Sequence, residues 1–246
     1  MRRRTIVELI IVFALSLGAS ALYSVVSLIG KLTAPSGLAG QTSKLNQSLS
    51  DREWLDLSYQ LLGVILGLAP VALVIFILWD SRSSGFEKIG LTLKRMQFDL
   101  LSGLAIAAAV GIPGIGLYFA ARSLGLSSKV EPAALGGYWW VVPILLLAAM
   151  KAALLEETIV VGYLHNRLSS LGLSATKTLW LSAIIRGSYH LYQGFAGFFG
   201  NLVMGLVFMK FYQRFGRTTP LVIAHFTMDA FVFVGYALLA KAINLP

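Results

Sequence analysis

Seven stretches of this chain, at residues 5–29, 59–79, 98–121, 143–168, 177–195, 197–212 and 219–240, are almost continuously apolar. Each approaches the roughly 20 residues a helix needs to cross a hydrocarbon core about 30 Å thick. A soluble domain is about half apolar and about a quarter charged; here the figures are 57% and 13%. The expected class is therefore all-α: a polytopic transmembrane helical bundle of seven spans, or eight if residues 141–168 form two elements. Gly111, Pro113, Gly114 and Gly116 should kink the third span, where neighbouring helices can satisfy the freed backbone groups.

The connecting segments carry most of the charge. Residues 31–57 and 122–137 read as loops on one side, the second followed by an interfacial belt of Tyr138, Trp139 and Trp140. Residues 83–97 mix Lys88, Lys94 and Arg95 with Phe86, Ile89, Leu91 and Leu93, a partly amphipathic segment suited to the opposite surface. With the N-terminus in the cytoplasm, basic residues favour the inner segments two to one, Lys241 counting among the outer ones. The net charge of +9 follows from this loop bias. No basic stripe with interleaved aromatics points to nucleic acid, and the absence of cysteine removes disulfides, a thiol nucleophile and thiolate metal ligands. The whole of residues 1–246 reads as one membrane domain, with variable helices over 1–137 and a functional core over 138–246.

Against that background the polar residues inside the spans are conspicuous, because a charge at bilayer depth costs at least about 2.5–3.5 kcal/mol on insertion scales. Glu156 and Glu157 stand together in LLEETIVVGYL. Arg186 and His190 lie four apart, as do His225 and Asp229, so each pair shares a helical face. Gly197, Asn201 and Gly205 share another, which lets that helix approach its neighbours closely. At 1.5 Å per residue, Glu156 and His190 fall about 18 and 20 Å from the inner ends of their helices, and His225 and Asp229 about 9 and 15 Å. One cytoplasm-facing, water-filled recess is the expected meeting point.

The chemistry such a group supports is hydrolysis. A desolvated glutamate takes a proton from water, one histidine orients that water or protonates a leaving amine, and another stabilises an oxyanion. Two histidines with carboxylates also suit a divalent metal such as zinc, at Glu156, His190 and His225, although no H-E-x-x-H is present.

These stretches resemble the CAAX protease and bacteriocin-processing family of intramembrane enzymes, also called the Abi family. Its pattern is E-E-x-x-x-R, then F-x-x-x-H, then H-x-x-x-N or H-x-x-x-D. Here it becomes Glu156-Glu157 with Val161, Arg186 with His190, and His225 with Asp229, and the likeness covers residues 140–236, with Ile89-Gly90-Leu91 as an outlying match. The resemblance implies an endopeptidase in which Glu156 is the general base, His190 its partner, and His225 and Asp229 the oxyanion-stabilising positions. Glu157 would play a supporting part, and no catalytic metal or other cofactor would be needed. Apart from the resemblance, Arg186 and Asn201 are expected to support the site from their places in the spans, Asn201 equally as glue between helices.

Two positions depart from the family pattern. Val161 replaces the motif arginine and Arg186 the motif phenylalanine, so the guanidinium is expected to have moved to the neighbouring helix, where it still neutralises Glu157. Asp229, if ionised, only accepts hydrogen bonds and cannot stabilise an oxyanion, so it would need to be protonated or to orient His225 instead. The expected partners are the lipid bilayer and a peptide or protein substrate at the membrane: a prenylated CAAX protein, a bacteriocin leader or another membrane protein. The expected location is a bacterial plasma membrane. The competing reading is a non-catalytic peptide-binding immunity or scaffold protein; a transporter has no internal repeat to support it.

Overall fold

Long apolar helices dominate the computed structural model, which describes residues 2–239; Lys241, assigned above to the outer side, lies outside the described residues. The helices are α1 (Arg2–Ala14), α2 (Leu17–Thr33), α3 (Glu53–Gly67), α4 (Ala69–Leu78), the single turn α5 (Gly85–Lys88), α6 (Met96–Ser123), α7 (Val141–Glu156), α8 (Leu164–Ser170), α9 (Ala175–Ser188), α10 (Phe195–Phe215) and α11 (Thr219–Leu239). A π-helix, Glu157–Tyr163, joins α7 to α8, and a 3-10 turn, Leu191–Gln193, precedes α10.

Among the described residues four helical stretches are long and apolar enough to cross a membrane: Glu53–Leu78, Met96–Ser123, Phe195–Phe215 and Thr219–Leu238. The pair α1 and α2 makes a fifth if counted as one span, although the chain bends by 54° between them. The expected first span is thus broken at Leu15 and Ser16. Residues 141–170 stay helical throughout but carry Lys151, Glu156 and Glu157. The span expected over 177–195 is cut short, because α9 has 14 residues, about 21 Å of rise, well below the thickness of a hydrocarbon core.

One further expectation is corrected. Thr42–Gln47 (β1) and Lys129–Ala134 (β2) pair in parallel, Thr42 opposite Lys129, so two segments read as loops carry a small sheet beside the helices. Within the segment over 83–97, a Ser84–Glu87 capping box starts α5, which ends after Lys88. Gly90 then turns at φ +65°, where a Cβ would lie 2.1 Å from the Gly216 carbonyl oxygen.

Close approaches set the bundle. A Cβ on Gly205 would meet the Ala183 Cα at 2.8 Å, and one on Gly162 would meet Ile89 at 2.8 Å, so α10 and the π-helix pack backbone-close against their neighbours. Gly216, left-handed at φ +65°, closes α10 by donating its N–H to Tyr212 O (2.7 Å). The sheet has a positioning role. Ser128 N–H donates to Gln193 O (3.1 Å) and Phe195 N–H to Leu126 O (3.0 Å). Ser43 Oγ donates to Tyr192 O (2.9 Å), and Ser24 Oγ in α2 to Tyr189 O (2.8 Å). The turn at residues 189–194 is therefore held by the first half of the chain.

Candidate active site

That turn carries His190. Helix α9 ends at Ser188, so His190 sits one turn beyond Arg186 in non-helical backbone, at φ −102° and ψ 2°. Its N–H donates to Gly187 O (3.1 Å), which keeps Arg186 and His190 on the same side despite the helix end.

The glutamates come from the junction of α7 and the π-helix. A π turn leaves backbone groups without their usual partners and is frequent at functional sites. Here Ser182 Oγ of α9 donates to Val160 O (2.8 Å), tying the widened turn to the helix that supplies Arg186. Val161, standing where a motif arginine was expected, is fully buried against Phe208, Met204 and Leu221.

Arg186 takes over the missing charge. Its Nη2 donates to Glu157 Oε2 (2.7 Å) and its Nη1 to Glu156 Oε2 (3.3 Å). The Phe208 ring lies 5.3 Å from the guanidinium carbon. Arg186 and Glu157 are both 0% exposed. At such burial a lone arginine or a lone glutamate is untenable, and the pair is what makes either tolerable.

On the far side of Glu157, its Oε1 lies 2.7 Å from His225 Nδ1. The other ring nitrogen, Nε2, faces Asp229 Oδ2 at 3.4 Å. Each imidazole nitrogen of His225 thus looks at a carboxylate, and only the doubly protonated ring donates to both. Asp229 sits where it orients His225.

Glu156 is held differently. Its Oε2 accepts from Tyr189 Oη (2.8 Å) as well as from Arg186, and His190 Nε2 stands 3.8 Å away. Among the described residues, Glu156 Oε1 makes no hydrogen bond, and neither do the two ring nitrogens of His190. Glu156 keeps 8% of its surface exposed, where Glu157 has none. One carboxylate is locked and the other is anchored by a single oxygen.

The structure therefore brings together Glu156, Glu157, Arg186, His190, His225 and Asp229, from three parts of the sequence. It leaves out Asn201, whose side chain donates to Gly197 O of its own helix (3.0 Å) and lines a cleft of about 190 Å³ between α6, α10 and α11. Neither this cleft nor one beside α1 has Glu156 in its lining. The cluster is closely packed, with contact to the outside narrowing from Asp229 and His190 inward. Tyr189 is a site residue the sequence reading missed. Its signal was present, since it directly precedes His190 and stands three residues after Arg186.

Compared with known proteins, residues 138–231 match the family model described as type II CAAX prenyl endopeptidase Rce1-like. The likeness to that family covers well under half of the chain. The matched stretch contains every member of the polar cluster. No curated protein and no solved structure gave a significant match. The matched residues span α7 to α10 and part of α11, while Ser24, Ser43, Leu126 and Ser128 hold the His190 turn from outside the matched region.

A metal is the other chemistry to weigh for this group of side chains. Single donor atoms of Glu156, Glu157 and His225 lie within 4.8 Å of one another, a trio that differs from the expected Glu156, His190 and His225. The trio fits an ion poorly, because the Arg186 guanidinium already donates to both carboxylates and His225 Nδ1 is bonded to Glu157.

Proposed function

We propose that the protein hydrolyses a peptide bond of a membrane-associated peptide or protein with water activated by Glu156, without a metal, in a bacterial plasma membrane. The observation that carries this reading is the half-held carboxylate: Glu156 is fixed through Oε2 while Oε1 and His190 are left without protein partners. A water held about 2.8 Å from Oε1 and from the imidazole, whose Nε2 stands 3.8 Å from Oε2, would link the two side chains.

In the reaction, Glu156 takes one proton of that water as the oxygen attacks the scissile carbonyl carbon. The carbonyl π electrons move onto the oxygen, and His225 Nε2 turns its proton from the long contact with Asp229 to the oxyanion. The tetrahedral intermediate then collapses, the C–N bond breaks, and the proton held by Glu156 passes to the leaving amine, with His190 as relay. Arg186 and Glu157 do not exchange protons; they hold Glu156 and His225 in register.

The test is turnover in water enriched in the heavy oxygen isotope, with prenylated and unprenylated C-terminal peptides offered to membrane-embedded protein. One labelled oxygen is expected in the new carboxylate, with activity unaffected by a chelator. Cleavage that persists in Glu156→Gln, or that disappears on chelation, would contradict the mechanism.

A further inference from the structure

A second feature lies away from the polar cluster. Between α1 and α4 runs a cleft of about 1410 Å³, above the roughly 300–1,000 Å³ of small-molecule pockets. Its long walls are apolar, with Ile11 on α1 and Leu73 and Phe76 on α4, and Arg3, Arg4 and Arg167 also line it. On α1 the two arginines and Ile11 are separated by about 10–12 Å of helical rise, so the lining passes from basic to apolar along the helix.

Two details fix the level and the charge. Trp79 lines the cleft where α4 ends and is 58% exposed; tryptophan settles at the headgroup level of a bilayer. Glu8 is the one acid of the lining, and it is already used: its Oε1 accepts from Arg167 Nε (2.6 Å) and Tyr163 Oη (2.9 Å). Arg3 and Arg4 make no ion pair among the described residues.

We propose that this cleft is a binding site for an anionic phospholipid, its phosphate against Arg3 and Arg4 and its acyl chains along Ile11, Leu73 and Phe76. The complementarity is twofold. A basic headgroup end and an apolar trough match a molecule that is itself charged at one end and hydrocarbon at the other, and basic pockets between membrane helices select anionic headgroups. The site is independent of the peptidase chemistry.

The experiment reconstitutes the full chain in vesicles of equal parts phosphatidylcholine and phosphatidylglycerol, then counts lipids retained by native mass spectrometry. Wild type is expected to retain one phosphatidylglycerol in preference to phosphatidylcholine. The double variant Arg3→Ala/Arg4→Ala should lose that preference about thirtyfold, two basic residues at about 1 kcal/mol each. Arg2→Ala/Arg214→Ala removes equal charge outside the cleft lining and should leave the preference intact. Equal retention of both lipids by wild type overturns the proposal whatever the variants do. So does equal loss in the two double variants, which would assign the effect to net charge. Displacement of the lipid by inorganic phosphate at comparable concentration would reduce the cleft to a bare anion site and likewise overturn it.

Discussion

Two buried arginine–carboxylate pairs stand in this bundle, and they are built to different plans. Arg217, in the turn between α10 and α11, grips Asp99 of α6 with both faces of its fork: Nε donates to Oδ1 (2.6 Å) and Nη2 to Oδ2. Its remaining donors go to Thr92, Nη2 to the carbonyl (2.9 Å) and Nη1 to Oγ1 (3.3 Å). Every strong group is matched, and one charge meets one charge. Arg186 instead divides itself between Glu156 and Glu157, its Nε lacks a partner, and the same carboxylates also serve Tyr189 and His225. Fork-to-fork pairing fixes geometry; an over-shared cation with an unpartnered histidine beside it leaves somewhere for a proton and a water to go. The first arrangement is a clasp, the second a site.

That contrast can be broken experimentally. The largest effect is expected from Glu156→Gln, which keeps an acceptor for Tyr189 but removes the base. Turnover should fall about 10²–10⁴-fold, the usual contribution of a general base, while the melting temperature of the purified protein stays close to wild type. Next comes Arg217→Ala, which strands Asp99 in the interior and should cost about 3–5 kcal/mol of stability; in a chemical unfolding series, a loss below about 1 kcal/mol would show the clasp to be ornamental.

Arg186→Ala should destabilise by a comparable amount, and adding Glu157→Gln should recover part of it, because the stranded charge disappears with its partner. Equal damage with and without the second change would mean that Arg186 does not neutralise Glu157. Tyr189→Phe is a smaller perturbation, removing one hydrogen bond to a charged group worth about 1.5–3 kcal/mol. It should reduce turnover about tenfold or more, with substrate affinity little changed.

The smallest effect lies on the surface. Asp80 accepts from Lys88 and from the N–H groups of Arg82 and Ser83, and these partners, Lys88 first, hold its carboxyl down at about 2, below the ordinary 3.8. Because the folded form is the more acidic one, its contribution is complete above the unfolded value and fades as pH falls from 3.8 towards 2. Asp80→Asn should remove that part of the acid dependence in a thermal scan, with its small destabilisation full at neutral pH and fading as pH falls from 3.8 towards 2.

The two pairs also differ in how legible they were. Glu156, Glu157, Arg186, His190, His225 and Asp229 stand in long apolar runs, where any ionisable group demands a partner, and their i,i+4 spacings survive into the structure. Asp99 and Arg217 sit at helix ends among other loop charges, 118 residues apart, so nothing local marks them as mates. The π turn was hidden for a different reason. It is a change of winding within an unbroken apolar helix, and hydrophobic pattern is nearly blind to winding when lipid surrounds the bundle. The first half of the chain was read as plain membrane helices, yet Ser24 and Ser43 hold the turn on which His190 stands. Those contacts run between a side-chain hydroxyl and a distant carbonyl, which leaves no compositional trace. Asn201 misled because a polar residue in a span was assumed to reach a neighbour, whereas it satisfies itself on the preceding turn.

The most direct measurement places Glu156→Gln beside Asp99→Asn and records, for each, the folded fraction in membranes and the cleavage rate per folded molecule. The account predicts a Glu156→Gln protein that is folded and inactive, and an Asp99→Asn protein that is less stable but cleaves at the wild-type rate once folded. Undiminished cleavage by folded Glu156→Gln would contradict it.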